Sequence, residues 1–265
     1  MVFPKGKTTH NNSTRVELDA TTISPNISEL FQFVTICFYS MFVKKIPFAV
    51  SISIRLKLAT AKLFSNHEDV TIIYIINSIQ KEYSQKYFIV NHPYSENKFQ
   101  SICQDQYKIF IITKGVSRFK HVPQIELHIR TLKKRCRGTY SIIPFKKRWY
   151  MHLFIELIFI ITFCMNNFLA SGGILSNLNP REIIIGVKLV HGKNCVVPFG
   201  DYVHTCEEHD KSLSPCTIGS IYLHPTVNGK LGPYFLRLYI YLCINFSHWV
   251  EIPMPDDTID RVYHL

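Results

Sequence analysis

Three apolar runs in quick succession constrain the fold of this chain more than any other feature of its sequence. They are rich in β-branched and aromatic residues, and only short polar breaks separate them: Phe33 to Val43, Phe48 to Ile54, and Leu56 to Leu63. Runs of this kind form an antiparallel meander of three strands. A capping box of Ser65 and Glu68 follows, and apolar residues then recur at helical spacing, which predicts a helix over 67–84.

The same periodicities predict the elements that follow. These are strands at Tyr87–Asn91 and Tyr107–Thr113, a weak helix at Asn97–Gln104, and longer helices at Pro123–Arg137 and Leu153–Ala170. The resulting order is β-β-β-α-β-α-β-α-α. This order matches a ribonuclease-H-like α+β or α/β fold, in which helices surround a mixed sheet of five strands.

The pattern changes after the sequence Ser171-Gly172-Gly173. Short strands separated by turn residues are predicted at Tyr202–Cys206, Thr217–Leu223, Tyr234–Ile240 and Cys243–Phe246. They indicate a small all-β domain. We therefore expect a polar N-terminal linker over 1–30, a core over 31–170, a second linker over 171–196, and the all-β domain over 197–265.

Positive charge is concentrated in one part of the chain. The net charge is +11, and the stretch from Lys108 to Arg148 holds twelve basic residues and a single acid, Glu126. One predicted helix carries the densest group, Arg130, Lys133, Lys134, Arg135 and Arg137. A solvated basic face is the simpler interpretation, but the concentration of the whole excess in one stretch favours binding to nucleic-acid phosphates.

Other sequence features indicate whether the protein is secreted or inserted into a membrane. None of the eight cysteines forms a C-x-x-C pair, and the first fifteen residues lack an apolar signal segment, so a secreted disulfide protein is not expected. The run over 153–170 is long enough to suggest a membrane helix, but it contains Glu156, Asn166 and Asn167. We interpret it as a core helix and expect no membrane partner.

Several motifs resemble one known family. The downstream motifs are Asn179–Ile183, Val197–Val203, Glu207–Asp210, His224–Thr226 and Trp249–Pro255, and the upstream ones are Met41–Phe48, Glu96–Phe99, His121–Glu126 and Ile129–Thr131. The downstream set resembles the segment after the integrase core in copia-type retrotransposon polyproteins. The upstream set resembles the core itself, so the resemblance covers nearly the whole chain.

The resemblance implies a retroviral-type integrase that is a fragment of a Pol polyprotein. Such a protein has a ribonuclease-H-like core, whose three carboxylates hold two Mg²⁺ or Mn²⁺ ions, and a downstream SH3-like barrel. The metals activate a nucleophile for in-line attack on a phosphodiester. The implied partners are DNA and further copies of the chain, without a small-molecule substrate, and the implied location is the nucleus, with the cytoplasm as the alternative.

The acidic triad departs from the family pattern. Its first position falls on Tyr39, its second on Glu96 and its third on Glu126, so the expected metal ligands are Glu96 and Glu126 alone. We therefore expect polynucleotidyl transfer to be impaired, as in a degenerate copy of a mobile element. Two functions stay open: a DNA-binding fragment with a damaged catalytic site, and a non-enzymatic relic or interaction module.

A second group of metal-binding residue types lies further along the chain. His204, Cys206, His209 and Cys216 are four soft ligands within a short stretch. Zinc would need them to converge tetrahedrally, and their spacing belongs to no zinc motif. We therefore interpret them as ordinary strand and loop residues.

Overall fold

The structure is a computed structural model that describes residues 11–12, 29–64, 69–95, 123–145, 150–186, 188–189, 195, 197–206, 217–225, 232–240, 242–245 and 248–263. The chain divides into two compact units. We call Asp19–Arg135 with Ile161–Lys188 the core unit. The C-terminal unit consists of Met1–Leu18, Cys136–Ile160 and Leu189–Leu265.

The described elements follow in chain order. They are β1 (Asn11–Asn12), β2 (Phe33–Val43), β3 (Ile46–Ser53), β4 (Ala59–Leu63), α1 (Asp69–Ser84), β5 (Ile89–Ser95), α2 (Pro123–Ile142), α3 (Met151–Asn166), α4 (Pro180–Ile185), β6 (Tyr202–Cys206), β7 (Thr217–Pro225), β8 (Pro233–Arg237), β9 (Cys243–Asn245), β10 (His248–Glu251) and α5 (Asp256–Tyr263). The predicted helix Asn97–Gln104 and strand Tyr107–Thr113 lie outside the described residues.

The core unit is built on a mixed sheet in the order β4-β3-β2-β5. Strands β2, β3 and β4 form the predicted antiparallel meander, and β5 returns beside β2 in parallel after α1. A parallel neighbour needs a crossover connection of this kind, and helix α1 supplies it. The mixed α+β class is therefore confirmed.

The turn between β2 and β3 is tighter than the sequence indicates. Lys44 and Lys45 alone connect the two strands, and both have positive φ values, of 50° and 67°. This is the backbone of a two-residue hairpin turn that matches the twist of the flanking strands. As a result, β3 begins at Ile46 rather than at Phe48.

Helix α1 covers the sheet of the core unit through one apolar face. Its buried residues follow the predicted helical spacing: Ile72, Ile75, Ile76, Ile79 and Tyr83. They share one apolar cluster with Ile36 and Phe38 of β2 and with Leu56 and Leu58 of the connection before β4. Burial of this apolar area is the main stabilising contribution in the unit.

The predicted linker over 171–196 differs from the structure. It contains α4, which begins at a capping box between Asn179 and Glu182 and ends at Gly186 with a φ of 75°. Ile183 and Ile184 are buried in the apolar cluster of the core unit. Since a helix with buried apolar residues is part of a folded unit, residues 180–185 belong to the core unit rather than to a linker.

The predicted core over 31–170 also differs, because residues 136–160 cluster with the C-terminal segment. The reason is burial: Ile143, Phe145 and Leu153 lie in one apolar cluster with side chains of β6, β7 and β8.

None of the helices among the described residues is long and apolar enough to cross a membrane, and α3 has only 16 residues.

The C-terminal unit contains an antiparallel sheet in the order β1-β10-β6-β7-β8-β9. Strands β6 to β9 correspond to the four predicted strands, whereas β1, β10 and helix α5 are not predicted. Helix α5 adds Val262 to the apolar cluster, so the unit is not all-β. Because no pairing joins β1 to β9 among the described residues, the predicted SH3-like barrel is not confirmed.

Candidate nucleic-acid interface

Tyr39 lies in β2, at the centre of the core sheet, where its register partner is Val50 of β3. Its side chain is half-buried. On the other side of β2, Phe38 is the register partner of Ser95, the last residue of β5. Glu96 follows Ser95 in the sequence and lies outside the described residues, so the structure does not test its proximity to Tyr39.

Glu126 lies in the first turn of α2, and its side chain is half-buried. Within the described ranges, no three histidine, cysteine or acidic side chains come close enough to share a metal ion. A two-metal centre requires an acid that bridges both cations. A phenol at position 39 is uncharged at neutral pH and does not meet this requirement. The described donor set therefore does not fit two Mg²⁺ ions, and we derive no catalytic step through a metal.

The five basic residues predicted to bind phosphates all lie on α2. An α-helix turns by about 100° per residue. Viewed along the helix axis, Arg130, Lys133 and Arg137 therefore each lie within about 30° of their mean direction. Lys134 lies at the edge of this stripe, and Glu126 lies within it. Arg130, Lys134 and Arg137 are exposed and Lys133 is half-buried. We call Arg130, Lys133, Lys134 and Arg137 the basic face of α2.

The opposite side of α2 is apolar. Ile125, Leu132 and Cys136 are buried there, which fixes the rotation of the helix and leaves the basic face outward. Arg135 is not part of the basic face, because it lies about 160° away from Arg137. Its guanidinium instead stacks on the ring of Phe168, 5.8 Å from the ring centroid.

A buried histidine also lies on α2, and it is not among the predicted functional residues. Burial and the nearby charge of Arg135 lower the pKa of His128 to about 4. Its Nε2 has no hydrogen-bond partner in the part of the chain that the structure describes. Burial raises the pKa of the Cys136 thiol to about 12, and it also raises the pKa of the Cys164 thiol. Both thiols are therefore poor nucleophiles.

We expect His128 to make the core unit less stable in mild acid. The unfolded histidine titrates near pH 6.5 and the folded one near pH 4, so the unfolded state binds more protons between these values. The free energy of unfolding is therefore highest above pH 6.5, and it falls by roughly 3 kcal/mol as the pH drops to 4. Urea unfolding at pH 7 and pH 5 measures this slope.

The variant His128→Leu is expected to remove the slope and to exceed the parent in stability by about 2 kcal/mol at pH 5. His152→Leu serves as the control, because His152 is exposed. Equal slopes for the parent and His128→Leu would show that His128 is not the titrating group.

The soft-ligand group in the C-terminal unit is described only in part. His204 and Cys206 lie on β6, whereas His209 and Cys216 are outside the described residues. Both ring nitrogens of His204 already have protein partners, with Nε2 3.1 Å from the Tyr202 hydroxyl and Nδ1 3.2 Å from that of Thr217. These contacts give His204 a structural role in its strand.

Two polar contacts between distant residues are not predicted from the sequence. In the C-terminal unit, Nε2 of His224 lies 2.8 Å from Oε2 of Glu156, and Nδ1 donates to the carbonyl of Pro225 at 2.7 Å. The side chains of the pair are only 11% and 14% exposed. In the core unit, the side-chain amide of Asn166 binds the backbone of Ala59. A polar residue in an apolar run, as at Glu156, is the signal that could have indicated such a partner.

The chain is similar to known proteins at the level of structure. No family model matches the chain, and no curated protein matches it. Among solved structures, the catalytic core domain of BIV integrase is similar at 14% identity with a TM-score of 0.38. The match covers 57% of this chain and 93% of that domain. The TM-score is too low for this similarity to indicate a function.

Proposed function

We propose that this protein is an integrase-derived DNA-binding fragment of the copia-type retrotransposon class, without polynucleotidyl-transfer activity. The observation that carries the proposal is the outward basic face of α2, formed by Arg130, Lys133, Lys134 and Arg137. Such a face binds the phosphate backbone of DNA without reading bases. The proposed role places the protein in the nucleus.

The strand order of the core unit supports an integrase-type core. A three-stranded meander whose first strand, β2, is joined on its other side by a parallel strand after one helix is the order that a ribonuclease-H-like sheet has in its first four strands. The proposal adds the predicted strand over 107–113 as the fifth. In the C-terminal unit, the order β10-β6-β7-β8-β9 returns the last strand to the side of the first, which supports an SH3-like topology.

We expect sequence-independent DNA binding that weakens steeply with salt. The variant Lys134→Glu with Arg137→Glu reverses two exposed charges on the basic face, so it should bind duplex DNA about tenfold more weakly or worse. The slope of log affinity against log salt should lose about 2 units, since each phosphate contact contributes about 0.9. Fluorescence anisotropy between 50 and 200 mM salt, as an approximate range, measures both.

The matched control is Lys81→Glu with Lys86→Glu. It changes the net charge by the same amount on exposed residues outside α2. The control is expected to keep most of the affinity and the slope. Equal losses in both variants would assign the binding to net charge alone, and an affinity independent of salt would contradict the proposed interface.

The proposal includes the absence of catalysis. We expect metal-dependent nicking and strand transfer by the parent to equal those of Glu126→Ala, because Tyr39 provides no bridging carboxylate. Tyr39→Asp supplies the missing carboxylate and Glu96→Asp shortens the existing one, and a displacement of about 1 Å can cost on the order of a hundredfold in rate. Parent activity well above Glu126→Ala, in Mg²⁺ or Mn²⁺, would contradict inactivity and leave the DNA-binding role intact.

The second candidate is a non-enzymatic interaction module or a relic without function. Tyr39 favours it, because a tyrosine at the first acidic position is incompatible with the family's chemistry. The anisotropy experiment separates the two candidates. A protein that unfolds cooperatively and does not bind DNA at low salt would support the second.

A further inference from the structure

The end of the hairpin between β2 and β3 carries two adjacent positive charges, on Lys44 and Lys45. These two residues form the whole turn, and the register pair Val43 and Ile46 closes it. Both lysines are exposed. Neither has a hydrogen bond or an ion pair with any residue that the structure describes. We call Lys44 and Lys45 the lysine tip.

The backbone of the lysine tip is unfavourable for lysine. The φ values of Lys44 and Lys45 are 50° and 67°, in the left-handed region. Residues with a β-carbon rarely adopt this region, and two-residue turns of this kind strongly favour Asn-Gly for that reason. The chain therefore keeps two lysines where other residues would give a more stable turn. Strained residues that a fold retains are concentrated at functional sites.

No glutamate in the described part of the core unit neutralises the lysine tip. Glu82 bonds to Lys62 at 2.8 Å, and Glu182 is buried in its capping box. Glu29 precedes the opposite end of β2, and Glu126 lies on α2. The two ammonium groups are therefore accessible to a ligand and have no counterion among these residues.

The chemistry of the lysine tip matches a polyanion. A lysine ammonium is a compact charge with three donors on a flexible stem, and it binds a phosphate oxygen as a point charge. Phosphates repeat along each strand of DNA, so two adjacent ammonium groups can contact neighbouring phosphates. A two-stranded β-ribbon such as this hairpin also fits the major groove of B-DNA. Contacts with phosphates carry no sequence information.

We propose that Lys44 and Lys45 form a second phosphate-binding site of this protein, separate in the chain from the basic face of α2. Their ammonium groups contact the backbone of DNA and release counterions from it. This binding is the reason that the turn keeps lysine at the expense of stability. The inference rests on the proposed function only in naming DNA as the polyanion.

The test uses the full chain with Lys44→Asn and Lys45→Gly together, which we call the turn variant. It removes both charges and relieves the backbone, because asparagine and glycine adopt positive φ more readily than lysine does. We expect the urea midpoint to rise, which shows that the variant is folded. The affinity for duplex DNA, measured by fluorescence anisotropy, should nevertheless fall about three- to tenfold, and the salt slope should decrease by about 2 units.

Two further variants control for charge. Lys44→Arg with Lys45→Arg keeps both charges in the turn and should bind DNA as the parent does. Lys81→Gln with Lys86→Gln removes the same charge from exposed residues outside the hairpin and should keep most of the affinity. The inference is overturned if the turn variant binds DNA as tightly as the Lys81 and Lys86 control, or if its urea midpoint does not rise.

The variant Lys134→Glu with Arg137→Glu separates this inference from the proposed function. If it loses affinity and the turn variant does not, the site at the lysine tip is wrong and the interface on α2 stands. If only the turn variant loses affinity, the lysine tip binds DNA and the interface on α2 is wrong. A parent that binds no DNA at low salt overturns both.

Discussion

Replacing Glu156 with alanine is expected to destabilise the C-terminal unit by about 1–3 kcal/mol, because Nε2 of the buried His224 loses its hydrogen-bond partner. The two side chains are 2.8 Å apart and almost entirely shielded from water. A buried ionisable group that loses its partner keeps its desolvation penalty without the compensating hydrogen bond. Urea unfolding at pH 7, followed by circular dichroism, measures the loss.

The control for this prediction is Glu251→Ala, which removes an exposed carboxylate from β10 of the same unit. It should change the free energy of unfolding by at most about 0.5 kcal/mol. Replacing both Glu156 and His224 with apolar residues should recover much of the lost stability, because no uncompensated polar group then remains. If Glu156→Ala costs no more than Glu251→Ala, the pair contributes nothing to stability.

The second large effect is expected at Ile79, on the face of α1 that packs against the core sheet. Its side chain is fully buried within the apolar cluster of the core unit. Ile79→Ala removes buried carbon and leaves a cavity, so we expect a loss of about 2–5 kcal/mol in the free energy of unfolding. The smaller change Ile79→Val should cost about 0.5–1.5 kcal/mol.

Val70→Ala is the matched control for Ile79→Ala. Val70 lies on the same helix, but its side chain is 74% exposed. Its replacement should change stability by at most about 0.5 kcal/mol, because no cavity forms. A similar cost at both positions would mean that the face of α1 at position 79 is not buried against the sheet.

The elements of the core unit could be predicted where a local sequence pattern is enough to determine the secondary structure. Continuous runs of β-branched and aromatic residues predicted β2 and β3, and helical spacing predicted α1, each within a few residues. The start of β3 was missed because a two-residue turn at Lys44 and Lys45 needs positive φ, which lysine rarely adopts.

Features that depend on distant parts of the chain could not be predicted. The capping box at Asn179 and Glu182 is a local signal of a helix, but the burial of Ile183 in the core unit is not. The partners of Glu156 and Asn166 lie 68 and 107 positions away, so no sequence window contains both members of either pair. For the site, the basic face followed from helical spacing, while the relation of Tyr39 to Glu96 and Glu126 stays a prediction.

The central position of β2 has a consequence for the order in which the core unit folds. On one side β2 meets β3 across a two-residue turn, and on the other it meets β5 only after β3, β4 and α1 have intervened. Closing a short loop costs less entropy than closing a long one. We therefore expect the meander to form before the parallel pairing of β5, because that pairing closes the longer loop.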